Sequence, residues 1–171
     1  MIQEYFDFLK KIAITFALTQ EFRLIKEVIA LNRGFIRFII KFVDGSELHV
    51  FEHIDARLHK TDYSYHWQDE NKKLIKRWDN APHHPEIKTS PHHMNEENQI
   101  KPSIEPTLTE IFPTFAGRLL KVYGADSPIR WLIPKHSYQK RLFSSVTHLK
   151  DGALDDILFQ VGFFYPFLDI F

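Results

Sequence analysis

The segment Arg77–His93, RWDNAPHHPEIKTSPHH, concentrates side chains that can exchange protons. It holds four of the chain's ten histidines, and an Asp-Asn pair precedes the first two of them. Imidazole titrates near neutral pH, so two of these rings can act as general base and general acid in one reaction. Pro82, Pro85 and Pro91 remove backbone donors and favour extended neighbours, so the segment cannot be a regular helix. We predict a loop of fixed shape, a usual place for binding and catalytic residues.

A metal site is a second use for the same loop. The candidate donors are Asp79, His83, His84, His92 and His93. However, the His-Glu-x-x-His spacing of a metal-binding helix is absent, and adjacent side chains of an extended chain point to opposite sides. The spacing therefore favours a site without a metal ion or another cofactor. A purely structural role is also open for each residue, because Asp and Asn readily bond to nearby backbone.

Composition indicates a globular chain with a substantial core. Of the 171 residues, 44% are hydrophobic and 15% are aromatic, enough for one domain or for one domain with an appendage. Cysteine is absent, which excludes disulfides and thiolate metal sites. Lys plus Arg equal Asp plus Glu at 22 each, so any contact with nucleic acid must be local. The amino terminus, MIQEYFDFLKK, lacks the order of a secretory signal, and we expect a cytoplasmic location.

The elements that must position the loop are a helix and a sheet. Apolar residues recur at three- and four-residue steps and predict an amphipathic helix over residues 2–18. From about residue 22, runs rich in β-branched and aromatic residues alternate with short turns, and Asp44-Gly45 predicts a type I′ hairpin. The predicted fold is α+β, with the helix packed on one face of an antiparallel meander of four or five strands.

Alternation along two of these strands decides which side chains share a face. Tyr63, Tyr65 and Trp67 are expected on one face of their strand, and Ser64 and His66 on the other. The same alternation in the next strand places Arg77 on the face of His66. The aromatic side chains then form either core or an aromatic surface beside the histidine loop.

The carboxyl-terminal part has a different pattern. Thr107-x-x-Glu110 is a capping-box pattern, but Pro113 is expected to interrupt the helix it starts. We predict a domain over residues 1–112 and a mostly helical extension over residues 113–171. This extension packs on the sheet, forms a homodimer, or is non-native sequence that arises from an altered reading frame. The apolar end, FFYPFLDIF, is too short and too interrupted to cross a bilayer, and no contact with a membrane is expected.

The run YSYHWQDENKKLIKRWDNAPHHPEIKTSPHH resembles the TumE-like toxins of type II toxin–antitoxin systems. The resemblance covers about residues 1–112. It rests on an aromatic strand with Tyr63, Tyr65, His66 and Trp67, followed by Arg77–His84 and then Pro91–His93. Members often continue Pro-His-His-Lys-His, whereas this chain has Met94-Asn95 after His93, so it would lack a third histidine there.

The resemblance implies a toxin that arrests growth unless a cognate antitoxin, typically a helix-turn-helix protein, is bound. The reaction is a separate hypothesis, argued from the side chains: a possible endoribonuclease that needs no metal, because RNA carries its own 2′-hydroxyl nucleophile. Arg77 would hold the phosphate, Asp79 would orient a histidine, and two of His83, His84, His92 and His93 would exchange protons. The residues assigned to RNA binding are Tyr65, His66, Trp67, Lys76 and Asn80, with Tyr65 or Trp67 stacking a base. The alternative is a toxin that inhibits a replication or translation component by binding alone.

Overall fold

The computed structural model of the protein describes residues 1–123, with side chains as far as residue 118. Helix α1 spans Ile2–Thr15 and helix α2 spans Leu108–Tyr123. Between them lie seven strands: β1 Thr19–Ile29, β2 Arg33–Phe42, β3 Glu47–Asp55, β4 Lys60–Gln68, β5 Leu74–Asp79, β6 His93–Glu96 and β7 Gln99–Pro102. They form one antiparallel sheet whose order in space is their order in the chain. The meander predicted from the sequence is therefore present.

The predicted number of strands, four or five, is wrong, because the sheet has seven. The two strands missed are β6 and β7, with four residues each and the polar sequences HMNE and QIKP. Such short segments have no alternating apolar pattern to reveal them. Glu97 and Asn98 join them with positive φ angles of 51° and 62°, and glutamate is an unusual residue for that conformation.

The predicted fold is also wrong in combining a sheet of four or five strands with a mostly helical carboxyl-terminal extension. The chain instead continues from β5 through the histidine loop into β6 and β7, and only then into α2. The further helices predicted beyond residue 123 lie outside the described residues.

The hairpin at Asp44-Gly45 was predicted correctly, but its turn type was not. Only Gly45 has a positive φ, of 80°, whereas a type I′ turn needs two such residues. The loop is longer than two residues because β2 ends at Phe42 and β3 begins at Glu47. The Asp44 carboxylate accepts hydrogen bonds from the backbone N–H and the hydroxyl of Ser46, at 3.1 and 2.6 Å. This side-chain bonding stabilises the longer turn.

The core lies between the sheet, α1 and the first turns of α2, as far as Phe115. Every second residue of β2 and β3 is buried, as period-two alternation requires. Gly34 allows α1 to approach closely, because a Cβ atom there would lie 2.9 Å from Ile2 Cγ2 and 3.1 Å from Phe6 Cε2. The start of α2 adds Phe115, whose ring centroid is 4.4 Å from that of Trp67. We call the face that the helices cover the inner face, and the opposite one the outer face.

Helix α2 begins with the predicted capping box. The Thr107 N–H donates to Glu110 Oε2 at 2.8 Å, and the Glu110 N–H donates to Thr107 Oγ1 at 3.3 Å. The predicted interruption at Pro113 is wrong, because Pro113 lies inside the helix. The helix tolerates the lost backbone hydrogen bond because its first turns are anchored in the core by Leu108, Ile111, Phe112 and Phe115.

Residues Met1–Phe115 form one compact unit, which contains the whole sheet. Two predictions concern mostly residues outside the described part of the chain and stay predictions. They are the division of the chain at residue 112 and the homodimer contact through residues 113–171. Within residues 1–123, no helix combines the length and the apolar character needed to cross a membrane.

Candidate functional site

The outer face carries a continuous row of side chains that ends at the histidine loop. The strand register pairs Arg37 with Phe51, Phe51 with Ser64, Ser64 with Asp79 and Asp79 with His93. Residues paired directly across antiparallel strands point to the same face. These five residues, the cross-strand row, therefore run from β2 to β6. The neighbouring pair His66 and Arg77 is also in register, which confirms that they share a face.

Three imidazoles meet at the β6 end of this row. The ring centroids of His83 and His84 are 4.3 Å apart, and those of His83 and His84 lie 4.9 and 4.8 Å from that of His93. We call His83, His84 and His93 the histidine cluster. Its members differ in access: His83 is exposed, the His84 side chain is 20% exposed, and His93 is buried. Within the cluster, only His83 and His84 can therefore reach a molecule in solution.

Asp79 links the histidine cluster to Arg77. Its Oδ2 atom lies 2.8 Å from Arg77 Nε, and its Oδ1 atom lies 3.3 Å from His93 Nε2. Asp79 Oδ1 also accepts a hydrogen bond from the Ala81 N–H at 3.0 Å, which holds the start of the loop. Asp79 and His93 are each only 1% exposed. The carboxylate is thus a buried group between two potential cations, which offset its cost of burial.

His92 does not belong to the cluster. Its Nδ1 atom lies 3.1 Å from the Tyr63 hydroxyl, and the two rings stack with centroids 5.8 Å apart. Burial raises the pKa of Tyr63 above its ordinary value, and the negative charges of Glu105 and Asp79 add to this effect. His92 is therefore engaged by the Tyr63 ring and hydroxyl while its neighbour His93 faces Asp79.

Four residues predicted to bind RNA are engaged inside the fold. Tyr65 and Trp67 are 0% and 2% exposed, so neither ring is available to stack a base. Asn80 Oδ1 accepts from the Tyr63 N–H at 2.9 Å and Asn80 Nδ2 donates to the Thr61 carbonyl at 3.0 Å, which ties the loop to β4. Lys76 lies 2.9 Å from Glu96 across the β5–β6 pair. Alternation in the sequence could not show whether these aromatic residues lie in the core or on the surface, because side chains on either face of a strand recur at every second residue.

Sequence reasoning missed the other end of the cross-strand row. An open groove there is lined by Ile25, Lys26, Phe35, Arg37, Phe51 and His53. The Arg37 guanidinium lies 5.1 Å from the centroid of the Phe51 ring, and Lys26 Nζ lies 5.5 Å from that of Phe35. The available signal was the alternation of FIRFIIKFV, whose odd-numbered positions Phe35 and Arg37 point away from the core. Cations next to partly exposed aromatic rings are typical of surfaces that bind single-stranded nucleic acid.

His66 lies between the groove and the histidine cluster on the outer face. Burial lowers its pKa, and the positive charges of His49 and Arg77 lower it further, whereas a hydrogen bond with Gln68 acts in the opposite direction. The protonated form is therefore less favourable in the folded protein than in the unfolded chain. The stability that neutral His66 contributes is present above about pH 6.5, the ordinary pKa of histidine, and is lost as the pH falls toward the folded-state pKa.

We expect His66→Gln to reduce the loss of stability on acidification. The wild-type and variant free energies of unfolding should be compared by urea denaturation at about pH 7.5 and about pH 5.5. The variant should lose less stability between these two conditions, because glutamine cannot acquire the unfavourable charge. His59→Gln is the matched control, since His59 is exposed. An unchanged or larger loss in His66→Gln would show that the environment of His66 does not oppose protonation.

Comparison with known proteins identifies a family. The family model described as Toxin TumE matches residues 9–121 of this chain. No curated protein and no solved structure matches significantly. The matched range includes the complete sheet, the cross-strand row and the histidine cluster.

Proposed function

This chain belongs to the TumE toxin family, and from that premise we propose that it is the toxin of a toxin–antitoxin pair that cleaves single-stranded RNA at the histidine cluster. The cognate antitoxin, expected to be a helix-turn-helix protein, would suppress this activity by binding. The observation that carries the proposal is the cross-strand row: it leads from an aromatic and cationic groove to the histidine cluster, and Asp79 of the row contacts Arg77.

The substrate would enter across the outer face. Phe51 and Arg37 offer a ring for a base and a charge for a phosphate at one end of the row. Three strand spacings of about 4.8 Å separate Phe51 from His93, so the groove and the cluster lie about 14 Å apart. A strand of a few nucleotides spans this distance. Because the protein has no excess positive charge, binding would depend on this local surface.

The reaction would use the 2′-hydroxyl of RNA as the nucleophile. One of His83 and His84 takes the proton of the 2′-hydroxyl as its oxygen forms a bond to phosphorus, and the other gives a proton to the departing 5′-oxygen as the P–O5′ bond breaks. The products are a 2′,3′-cyclic phosphate and a free 5′-hydroxyl. Arg77, whose side chain is 37% exposed, stabilises the negative charge that builds up on the phosphate.

Asp79 and His93 act through their neighbours, because both are buried. Asp79 holds Arg77 through Oδ2, and His93 packs against both accessible rings of the cluster. They are positioning residues in this proposal. His92 has no part in the reaction, since its contact is with Tyr63.

The test is cleavage of an end-labelled single-stranded RNA by the purified full chain, with RNA in large excess and a metal chelator present. We expect multiple turnovers and a product ending in a cyclic phosphate. His83→Ala/His84→Ala should lower the rate by at least about 100-fold, because it removes both proton carriers. His59→Ala, which removes an exposed histidine of the β3–β4 hairpin, should cleave like the wild type.

Two comparisons make the test specific. A DNA of the same sequence should remain intact, because it has no 2′-hydroxyl. If the wild type arrests cell growth but leaves RNA intact at every ratio of protein to RNA, the cleavage proposal is wrong. Inhibition by stoichiometric binding to a replication or translation component would then be the function to pursue.

A further inference from the structure

The contact between His93 and Asp79 leaves one buried imidazole nitrogen, His93 Nε2, without a regular hydrogen bond to any described residue. His93 Nδ1 lies 2.9 Å from the carbonyl oxygen of Pro91, which can only accept, so Nδ1 carries a hydrogen. The other nitrogen, Nε2, is buried and has no hydrogen-bond partner among the described residues. It faces Asp79 Oδ1 at 3.3 Å. In the neutral ring, the lone pair of Nε2 therefore faces a carboxylate oxygen, and both residues are buried.

A metal ion fits between His93 Nε2 and Asp79 Oδ1 by distance. Two ligand atoms at about 2.0–2.1 Å from a tetrahedral zinc ion lie about 3.4 Å apart. The 3.3 Å between His93 Nε2 and Asp79 Oδ1 is close to that value. A protonated His93 ring would instead form an ion pair with Asp79 at this distance, and metal titration separates the two arrangements.

The rest of the cluster supplies two more donors. One nitrogen from each of His83, His84 and His93 can be chosen so that all three lie within 4.8 Å of one another. His84 Nδ1 lies 3.1 Å from Glu86 Oε1, a carboxylate contact that commonly orients a metal-binding histidine and leaves its Nε2 free. Side-chain rotation of His83, which is exposed, can bring its ring to the ion. Pro91 thus holds the Nδ1 atom of His93, and Glu86 holds the Nδ1 atom of His84. In both rings the Nε2 atom remains for the ion.

We propose that His83, His84, His93 and Asp79 bind one divalent transition-metal ion of the zinc class, and that the bound ion switches off RNA cleavage at this site. Three imidazoles and one carboxylate suit zinc, cobalt or nickel better than magnesium or calcium, which prefer oxygen ligands. Arg77 contacts the opposite carboxylate oxygen, and Oδ1, which accepts one hydrogen bond from the Ala81 N–H, has a second lone pair for the ion. A metal-bound imidazole cannot exchange protons, so the regulatory half rests on the proposed function, whereas the binding half does not.

The binding half is tested by titrating Zn²⁺, and separately Co²⁺, into the chelator-treated full chain. We expect one equivalent to bind with a Kd below about 10 μM, and Co²⁺ to give the intense visible absorption of a tetrahedral site. His84→Gln and His93→Gln should each weaken binding at least about tenfold. His84 is partly exposed, so its variant keeps the test decisive if the buried His93→Gln variant does not fold.

The matched control is His92→Gln, which removes a histidine of the same loop whose contact is with Tyr63. It should bind Zn²⁺ like the wild type. Binding weaker than about 1 mM, or an equal loss in His92→Gln and His84→Gln, would overturn the assigned ligands.

The regulatory half is tested by cleavage of the labelled RNA with metal-free and zinc-loaded wild-type protein. Inhibition of at least about tenfold that a chelator reverses supports it. If only the zinc-loaded protein cleaves RNA, the proposal that zinc inhibits cleavage is wrong, and so is the proposal that the histidines cleave RNA without a metal. The proposal that the site binds zinc would still stand. If neither form cleaves RNA, the proposed function and its regulation both fail, and the titration alone decides whether the metal site exists.

Discussion

Replacing Glu52 with alanine is expected to lower the free energy of unfolding by about 3–5 kcal/mol. Glu52 is fully buried on the inner face. Its carboxylate accepts a hydrogen bond from the Tyr5 hydroxyl at 2.6 Å and another from the Tyr65 hydroxyl. Burial raises the pKa of both tyrosines, and the charge of Glu52 raises it further, so both hydroxyls stay protonated and able to donate. Alanine would leave the buried Tyr65 hydroxyl and the partly buried Tyr5 hydroxyl without their acceptor and would open a cavity.

The measurement is urea denaturation followed by far-ultraviolet circular dichroism. Glu52→Gln is the matched control, because it keeps the volume and one acceptor oxygen, and it should lose clearly less stability than Glu52→Ala. Tyr5→Phe should cost about 1 kcal/mol in the wild type and close to nothing in the Glu52→Ala background, if the two groups act as a pair. A loss below about 1 kcal/mol in Glu52→Ala would contradict this account of the core.

Phe51→Ala is expected to weaken binding of single-stranded RNA by about 5- to 150-fold, the range for loss of one stacked base. Phe51 occupies the groove end of the cross-strand row and lies under the Arg37 guanidinium. Arg37→Ala should also weaken binding and should reduce the dependence of affinity on salt by about one phosphate contact. Both effects are expected if RNA crosses the outer face, because one side chain then holds a base and the other a phosphate.

Affinity should be measured by fluorescence anisotropy over a series of salt concentrations, using the His83→Ala/His84→Ala background to prevent cleavage. Phe51→Leu keeps apolar volume but removes the ring, so it should resemble Phe51→Ala if stacking is responsible. Lys11→Ala removes an exposed cation from α1 and is the control for Arg37→Ala. If Arg37→Ala and Phe51→Ala bind RNA with the same affinity as the parent protein, RNA does not bind in this groove. This conclusion would not depend on whether the histidine cluster cleaves RNA.

The buried Glu52 and the buried Asp79 illustrate two uses of a carboxylate in one sheet. Glu52 lies on the inner face, where tyrosine hydroxyls satisfy it, and it helps to hold α1 against β3. Asp79 lies on the outer face, where one oxygen contacts Arg77 and the other faces a histidine. The first arrangement is closed and suits stability. In the second, Asp79 Oδ1 faces His93 of the histidine cluster, where it can position the histidines or bind a metal ion.

Local sequence patterns were sufficient to predict several helices and strands. Apolar residues at helical spacing predicted α1, alternation predicted β2 to β5 as part of an antiparallel meander, and Thr107 with Glu110 predicted the start of α2. The same alternation placed His66 and Arg77 on one face. These predictions succeeded because side-chain direction is set by neighbouring residues, with a period of 3.6 in a helix and 2 in a strand. The family resemblance was also visible in the sequence, because it rests on the order and spacing of the residues in the motif.

Tertiary structure alone decided which histidines meet. Four were equivalent in the sequence, yet His83, His84 and His93 converge while His92 turns to Tyr63. The pairing of Asp79 with His93 depends on the register between β5 and β6, two short strands on either side of the loop. No short turn fixes this register, because the histidine loop separates the end of β5 at Asp79 from the start of β6 at His93. The burial of Tyr65 and Trp67 depends on tertiary packing as well, because alternation groups the side chains of one face but does not say which face the helices cover.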